Sequence, residues 1–112
     1  MELSENKSDG YMIIGISGRL DTTNYQILEH RLMKYINENN VRLIIDCSKM
    51  DYISSSGLRI FLMALKRVSQ VNGRFLICSL QDMIKEVFAI SGFNSIFEVY
   101  PTVAEALAAK PA

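Results

Sequence analysis

Apolar and polar residues follow one another along the chain in two patterns, one typical of strands and the other typical of helices. Short apolar runs bounded by turn residues predict strands at Tyr11–Ser17, Leu43–Ile45, Arg74–Ser79 and Ile96–Tyr100. Between these runs, apolar side chains recur about every three to four residues, as on one face of a helix. The first predicted helix has Thr22 or Thr23 as its N-cap and runs to about Asn37. The others extend from Ser54–Ser56 to Asn72–Gly73, from Ser79 to about Ile90, and over Ala104–Ala109.

Two of the helix starts carry a further local signal. Ser79 and Asp82 have the spacing of a capping box, as do Thr102 and Glu105. In a capping box, a hydroxyl and a carboxylate satisfy the first backbone N–H groups of a helix. These pairs therefore predict where the last two helices begin.

The order of the predicted elements indicates one fold class. Glu2–Ser8 predicts at most an edge strand, and the turn residues Asp9 and Gly10 join it to Tyr11–Ser17 as an antiparallel hairpin. Strands and helices then alternate, which predicts a mainly parallel sheet. We therefore expect an α/β fold in a single domain over residues 1–112. Its mixed, mainly parallel sheet should have about four to five strands, a leading β-hairpin and about four helices.

Composition and charge narrow the classes of function. Hydrophobic residues make up 49% of the 112 residues and charged residues 21%, which predicts a globular chain. The 12 basic side chains balance the 12 acidic ones, so nothing favours nucleic acid or an anionic membrane surface as a partner. The polar, acidic start and the lack of an apolar run of about 18 residues predict a cytoplasmic protein without a membrane segment. Small size and balanced charge also favour a monomer.

Residues that hold metals or form disulfides are few. Cys47 and Cys78 lie at the ends of predicted strands and are expected to be buried free thiols. His30 is the single histidine, and the chain has no CxxC pair. We therefore expect neither a metal site nor a cofactor.

The stretch Leu43–Val68 combines a predicted buried strand, a polar loop from Asp46 to Gly57 and an apolar helix. The carboxyl ends of parallel strands share one edge of a sheet, so this loop and Gly18–Thr23 are expected to lie side by side. A small serine at a helix start has an exposed hydroxyl near unpaired backbone N–H groups. A phosphate there would meet the positive end of the helix dipole and would add roughly −1.5 to −2 charge at pH 7.

We therefore predict that Ser55 is a regulatory phosphoacceptor. Asp21 and Asp46 are expected to set the charge around Ser55 and to orient its hydroxyl. The residues expected to form the rest of the partner-binding surface are Ser54, Ser56, Gly57 and Arg59. The alternative is that the serines only cap the helix.

A nucleophilic serine is the competing functional interpretation. The loop is not a GxSxG elbow, and His30 belongs to another predicted helix, so the parts of a catalytic triad are not indicated. The chain also lacks the GxxxxGK[ST] loop that cradles nucleotide phosphates. We expect a binding module and not an enzyme.

Several motifs resemble those of one bacterial family. Asp46-x-Ser48 followed by Ile53–Leu58 closely resembles the signature of anti-sigma-factor antagonists, the single-domain STAS proteins. Gly18–Asp21 is similar to the family's G-x-L-D loop, and Asn72–Gly73 and Ser91–Phe93 also fit its pattern. The resemblance covers nearly the whole chain and implies the STAS-type fold.

The resemblance also implies a mechanism. Ser55 would be phosphorylated; Ser54 occupies the position where the family usually has aspartate, which leaves Ser56 as runner-up and Ser54 as a more distant third. The unphosphorylated protein would bind an anti-sigma factor that is also a serine kinase, and would so release a sigma factor. Phosphorylation would abolish this binding, and a PP2C-type phosphatase would restore it. The alternative is a STAS scaffold or sensory subunit of another signalling or transport complex, not switched by phosphorylation.

Overall fold

A sheet of five strands forms the centre of the molecule in residues 1–109, the part of the chain that this computed structural model describes. The strands are β1 (Glu2–Ser8), β2 (Tyr11–Leu20), β3 (Arg42–Ile53), β4 (Arg74–Cys78) and β5 (Glu98–Tyr100). β1 runs antiparallel to β2, and β2 to β5 run parallel to one another in chain order. The predicted leading hairpin and mainly parallel sheet are confirmed. Residues 110–112 of the predicted domain lie outside the described residues.

Helices cover both faces of this sheet, but unequally. They are α1 (Tyr25–Asn37), α2 (Ser55–Ser69), α3 (Asp82–Ile90) and α4 (Val103–Ala108), with a short 3-10 helix at Phe93–Ser95. α1, α2 and α3 contribute buried side chains such as Leu28 and Phe61 to the larger core. α4 covers a smaller cluster with Ile44 and Ala106 on the other face. In residues 1–109 we find no helix with both the length and the apolarity that crossing a bilayer requires.

The first helix begins later than predicted, at Tyr25, with Asn24 as its N-cap residue. Both the backbone N–H and the hydroxyl of Thr23 donate to Asp21 Oδ1, at 3.0 and 2.6 Å. Asn24 closes the same turn, because its side-chain oxygen accepts from the Asp21 N–H at 2.9 Å. The prediction of Thr22 or Thr23 as the N-cap is therefore wrong. An upstream carboxylate holds these groups in a turn before the helix.

One of the two predicted capping boxes has its N-cap hydrogen bond. Thr102 Oγ1 accepts from the Glu105 N–H at 3.1 Å and caps α4. Ser79 does not cap α3, because its φ of 62° turns the chain directly after β4. Asp82 is already the first helical residue, with Gln81 at the N-cap. The capping-box prediction for Ser79 and Asp82 is therefore wrong.

β3 differs most from the prediction, because Asp46–Ile53 is strand and not loop. This half of β3 pairs with the end of β2 up to Leu20, and shifts of register interrupt the pairing. Bulges of this kind break the alternation of inward and outward side chains. Cys47 and Met50 are both buried in the same core, which strict alternation along a strand would forbid. No period-two pattern therefore marks this strand in the sequence.

Candidate functional site

The carboxyl ends of β2 and β3 meet where α2 begins. Leu20, the last residue of β2, pairs with Ile53, the last residue of β3. The Ser54 N–H donates to the Leu20 carbonyl at 2.9 Å, which extends the contact by one more residue. The prediction that Gly18–Thr23 and Asp46–Gly57 lie side by side is confirmed where Gly18–Leu20 pairs with Met50–Ile53, although these residues are strand and not loop.

Gly57 allows α2 to start directly against these strand ends. A Cβ added at Gly57 would meet Leu20 Cγ at 2.8 Å and Ile53 Cγ1 at 2.9 Å, and both side chains belong to or pack against the core. Neither can move away freely, so the first turn of α2 has room only for glycine at this position. The close approach fixes the height of the preceding serines above the sheet.

The three serines differ in their surroundings. Ser54 is the N-cap of α2, and its Oγ accepts from the Gly57 N–H at 3.1 Å. Ser56 is half-buried, whereas Ser55 is exposed at the first residue of the helix. The hydroxyl of Ser54 is thus engaged, and Ser55 is the serine most accessible to another protein.

Asp21 lies just past Leu20, in the turn that follows β2. Hydrogen bonds from the hydroxyl and the backbone N–H of Thr23 hold the pKa of Asp21 below its ordinary value, and Arg19 Nε, at 3.5 Å from Asp21 Oδ2, adds to the effect. The guanidinium of Arg19 also lies over the ring of Tyr52, 4.0 Å from its centroid. Asp21 is therefore held as a carboxylate at the edge where β2 ends, with the cation of Arg19 nearby.

Asp46 lies within the sheet, away from the end of β2 where Asp21 is found. It pairs with Gly15 on one side and Cys78 on the other, and its side chain accepts from the Ser48 N–H at 3.0 Å. The neighbour Ile45 points into the core beneath α1 and α2, so Asp46 points to the opposite face. Its partner Gly15 lies five residues before Leu20, the last residue of β2. At about 3.3 Å per residue, Asp46 is therefore roughly 16 Å from this end of the sheet.

This distance is about twice the screening length at physiological ionic strength. The expectation that Asp46 sets the charge around Ser55 and orients its hydroxyl is therefore wrong. The reason is the extra length of β3, which carries Asp46 back into the middle of the sheet.

Arg59 is exposed one turn into α2, on the same helix as the serines. Three residues that the sequence did not indicate as site residues also lie at this edge, namely Arg19, Thr23 and Tyr52. The Asp-x-Thr spacing of Asp21 and Thr23 is a readable turn signal. The stacking of Arg19 on Tyr52 has no such signal, because it depends on the bulged register of β2 against β3.

The start of α3 lies beside the second half of β3, near Asp51. Gln81 Nε2 donates to the Ser48 carbonyl at 3.0 Å, which ties the loop before α3 to β3. Met83 is 82% exposed and Ile90 86% exposed, whereas Ile84 is buried. α3 thus presents apolar side chains to solvent near both of its ends.

Cys47 and Cys78 are free and buried, as predicted. Burial raises the pKa of the Cys47 thiol well above its ordinary value, and it raises that of Cys78 to about 11. Both are therefore protonated and unreactive at neutral pH. Within the described range, no group of three or more His, Cys, Asp or Glu side chains is placed to hold a metal ion.

The sequence model of the STAS domain family matches residues 2–106 of this chain. The chain belongs to the STAS domain family. BtrV of Bordetella bronchiseptica, a relative named as an anti-sigma factor antagonist, is 39% identical over 99 residues, which are 88% of this chain and 85% of BtrV. This membership confirms the family that the sequence motifs indicated.

Solved structures confirm the STAS-type fold. A protein of Thermotoga maritima described as an anti-sigma factor antagonist superposes with a TM-score of 0.91 at 20% identity, over 95% of this chain and 92% of the other. SpoIIAA of Bacillus, solved in its phosphorylated form, superposes with a TM-score of 0.76 at 18% identity, over 96% of this chain and 97% of SpoIIAA. At these identities the likeness establishes the fold alone.

Proposed function

We propose that this STAS protein is a binding module of the anti-sigma-factor antagonist class, and that phosphorylation of Ser55 switches its binding off. The observation that carries the proposal is the exposed side chain of Ser55 at the first residue of α2. The name of BtrV, at 39% identity, supports the class. SpoIIAA, which shares the fold, has a phosphorylated form.

The surroundings of the serines favour Ser55 as the acceptor. A kinase must reach the hydroxyl, and Ser54 Oγ is turned toward the Gly57 N–H, from which it accepts the hydrogen bond that caps α2. Ser56 is half-buried and remains the runner-up. Ser55 has neither obstacle.

A phosphate on Ser55 would change the charge of this surface more than its structure. It would add roughly −1.5 to −2 charge at pH 7 to a first helical turn that contains no acidic side chain. The helix dipole favours an anion there, so the modification has no reason to unfold α2. A partner that closes over Ser55 would have to desolvate the new charge, which is costly without a matching cation. Docking is therefore weakened without a rearrangement.

The partner that fits this scheme is an anti-sigma factor that is also a serine kinase. Binding and phosphorylation then use one surface, because the kinase must approach Ser55 to modify it. A PP2C-type phosphatase would reverse the modification. The relatives that support the class are named as regulators and not as enzymes, in line with Ser55 as a modified residue and not a nucleophile.

The test begins with the kinase encoded beside this protein in its genome. The protein is incubated with that kinase and ATP, and the modified residue is mapped by mass spectrometry. We expect one phosphate, on Ser55, and none in the Ser55→Ala variant. Ser56→Ala is the matched control and should be phosphorylated normally.

Binding of the variants to the same kinase tests the switch. Ser55→Ala should bind as the unmodified protein does, whereas Ser55→Asp should bind roughly tenfold more weakly, a difference of about 1.4 kcal/mol. Equal binding by the two variants would contradict the switch. Absence of phosphate from all of Ser54–Ser56 would favour a scaffold that phosphorylation does not control.

A further inference from the structure

Arg59 lies on the same face of α2 as Ser55. The two are four positions apart in an uninterrupted helix, where such side chains are neighbours with Cβ atoms about 5–6 Å apart. Both residues are exposed. Across residues 1–109, the guanidinium of Arg59 takes part in no ion pair, hydrogen bond or aromatic contact. It is therefore available to a group attached to Ser55.

No other charge in α2 competes for that position. The first turn of the helix holds no acidic side chain that could pair with Arg59. The remaining cations of the helix, Lys66 and Arg67, lie in its last turn. At about 1.5 Å per residue, they are at least about 10 Å farther along the axis than Arg59.

We propose that a phosphoryl group on Ser55 is bound within the same chain by the guanidinium of Arg59. An anion that precedes a cation by four residues is the favourable order for a helical ion pair. A guanidinium can donate two parallel hydrogen bonds to a phosphate, which an ammonium cannot do in the same fixed geometry. The inference rests on the proposed function in one respect, since it takes Ser55 as the modified residue.

This pairing alters the surface in two ways at once. Before modification, the surface offers a neutral hydroxyl and an exposed cation one turn away. After modification, the cation is occupied by the phosphate, and the pair carries a net negative charge at pH 7. An acidic group on a partner that meets Arg59 would then lose its contact and face an anion. Arg59 thus increases the effect of phosphorylation on binding.

The experiment needs no kinase. Phosphoserine is incorporated at position 55 during translation, and the phosphate is titrated by ³¹P NMR. Its second pKa is ordinarily near 6, and a paired cation favours the dianion and lowers that pKa. We expect the pKa in the phosphorylated protein to be about 0.2–0.4 pH units lower than in the Arg59→Gln variant, the size typical of an exposed helical pair. The difference should shrink in about 1 M salt, where charges are screened within roughly 3 Å.

Two variants make the result specific. Arg59→Lys keeps the charge and should retain part of the lowering of the pKa. Arg67→Gln removes an exposed cation from the far end of the same helix and should leave the titration unchanged. Because both positions are exposed, neither substitution disturbs the core.

Identical titrations of the phosphorylated protein and of its Arg59→Gln variant would overturn the inference. That result would leave phosphorylation of Ser55 intact, since the kinase assay decides it separately. Conversely, absence of phosphate from Ser55 after kinase treatment would overturn the proposed function, whereas the titration would still measure the pairing itself.

Discussion

Gly57→Ala tests the close contact of α2 with the sheet. By helix propensity alone, alanine in place of glycine should stabilise α2 by about 1 kcal/mol. In this structure the new methyl group would lie 2.8 Å from Leu20 Cγ and 2.9 Å from Ile53 Cγ1. Leu20 is fully buried, so the methyl group must displace packed atoms.

Overpacking of this kind costs about 1–3 kcal/mol. Subtracting the gain in propensity leaves a net loss of roughly 1 kcal/mol in the free energy of unfolding, within a range of about 0–2 kcal/mol. For a domain of this size, such a loss lowers the melting temperature by about 4 °C. Displacement of the first turn should also weaken docking at Ser55, because the serines move with it.

Urea denaturation followed by circular dichroism measures the change. Ser69→Ala, at the exposed last residue of α2, is the matched control and should be slightly stabilising, by about 0.5 kcal/mol. In the Gly57→Ala background, Leu20→Ala should cost at least about 1 kcal/mol less than it does alone, since it removes the atoms that clash. A Gly57→Ala protein about 1 kcal/mol more stable than the parent would refute the reasoning.

Three further predictions concern single contacts. Ser54→Ala should lower the free energy of unfolding by about 1 kcal/mol in urea denaturation, because the Gly57 N–H loses its cap; an unchanged midpoint would contradict this. Thr23→Val should raise the pKa of Asp21 toward its ordinary value of 3.8, as followed by ¹³C NMR of the carboxyl group, because the largest cause of the lowered pKa is the Thr23 hydroxyl. Glu98→Gln should cost about 1 kcal/mol at pH 7, a figure reduced for the 44% exposure of Glu98, because it weakens the ion pair with buried Arg74. Arg74 lowers the pKa of Glu98, so this stabilisation is present above pH 4.5, the ordinary pKa, and disappears as the pH falls through the lower pKa of the folded protein. If the stabilities of the parent and of Glu98→Gln do not converge in acid, the ion pair is not the cause of the difference.

Much of the fold was predictable because its signals are local. The alternation of apolar runs with helical spacing depends on residues a few positions apart, and it correctly predicted the hairpin, the parallel sheet and the four helices of residues 1–109. The cap of α4 at Thr102 and the glycine in the first turn of α2 are local in the same sense. The family signature around Ser55 also lies within one contiguous stretch of sequence.

Most of the predictions that failed depended on contacts between distant residues; the cap of α1 is the exception, because Asp21 holds Thr23 and Asn24 in a local turn. The second half of β3 looked like a loop, because bulges against β2 remove the alternation that marks a strand. Asp46 looked like a neighbour of Ser55 because it is close in sequence, but an extended strand carries its residues apart at about 3.3 Å each. The cap of α3 failed because Ser79 is used to turn the chain out of β4.

The sequence by itself determined which elements form and where the serines stand among them, because the backbone preferences of a segment are set by its own side chains. Only the tertiary structure decided which serine is exposed, which aspartate lies at the same edge of the sheet and where Arg19 stacks. Those outcomes follow from the register of β2 on β3 and the packing of Gly57 on Leu20. Both depend on contacts between segments that are far apart along the chain, and no local sequence pattern indicates such contacts.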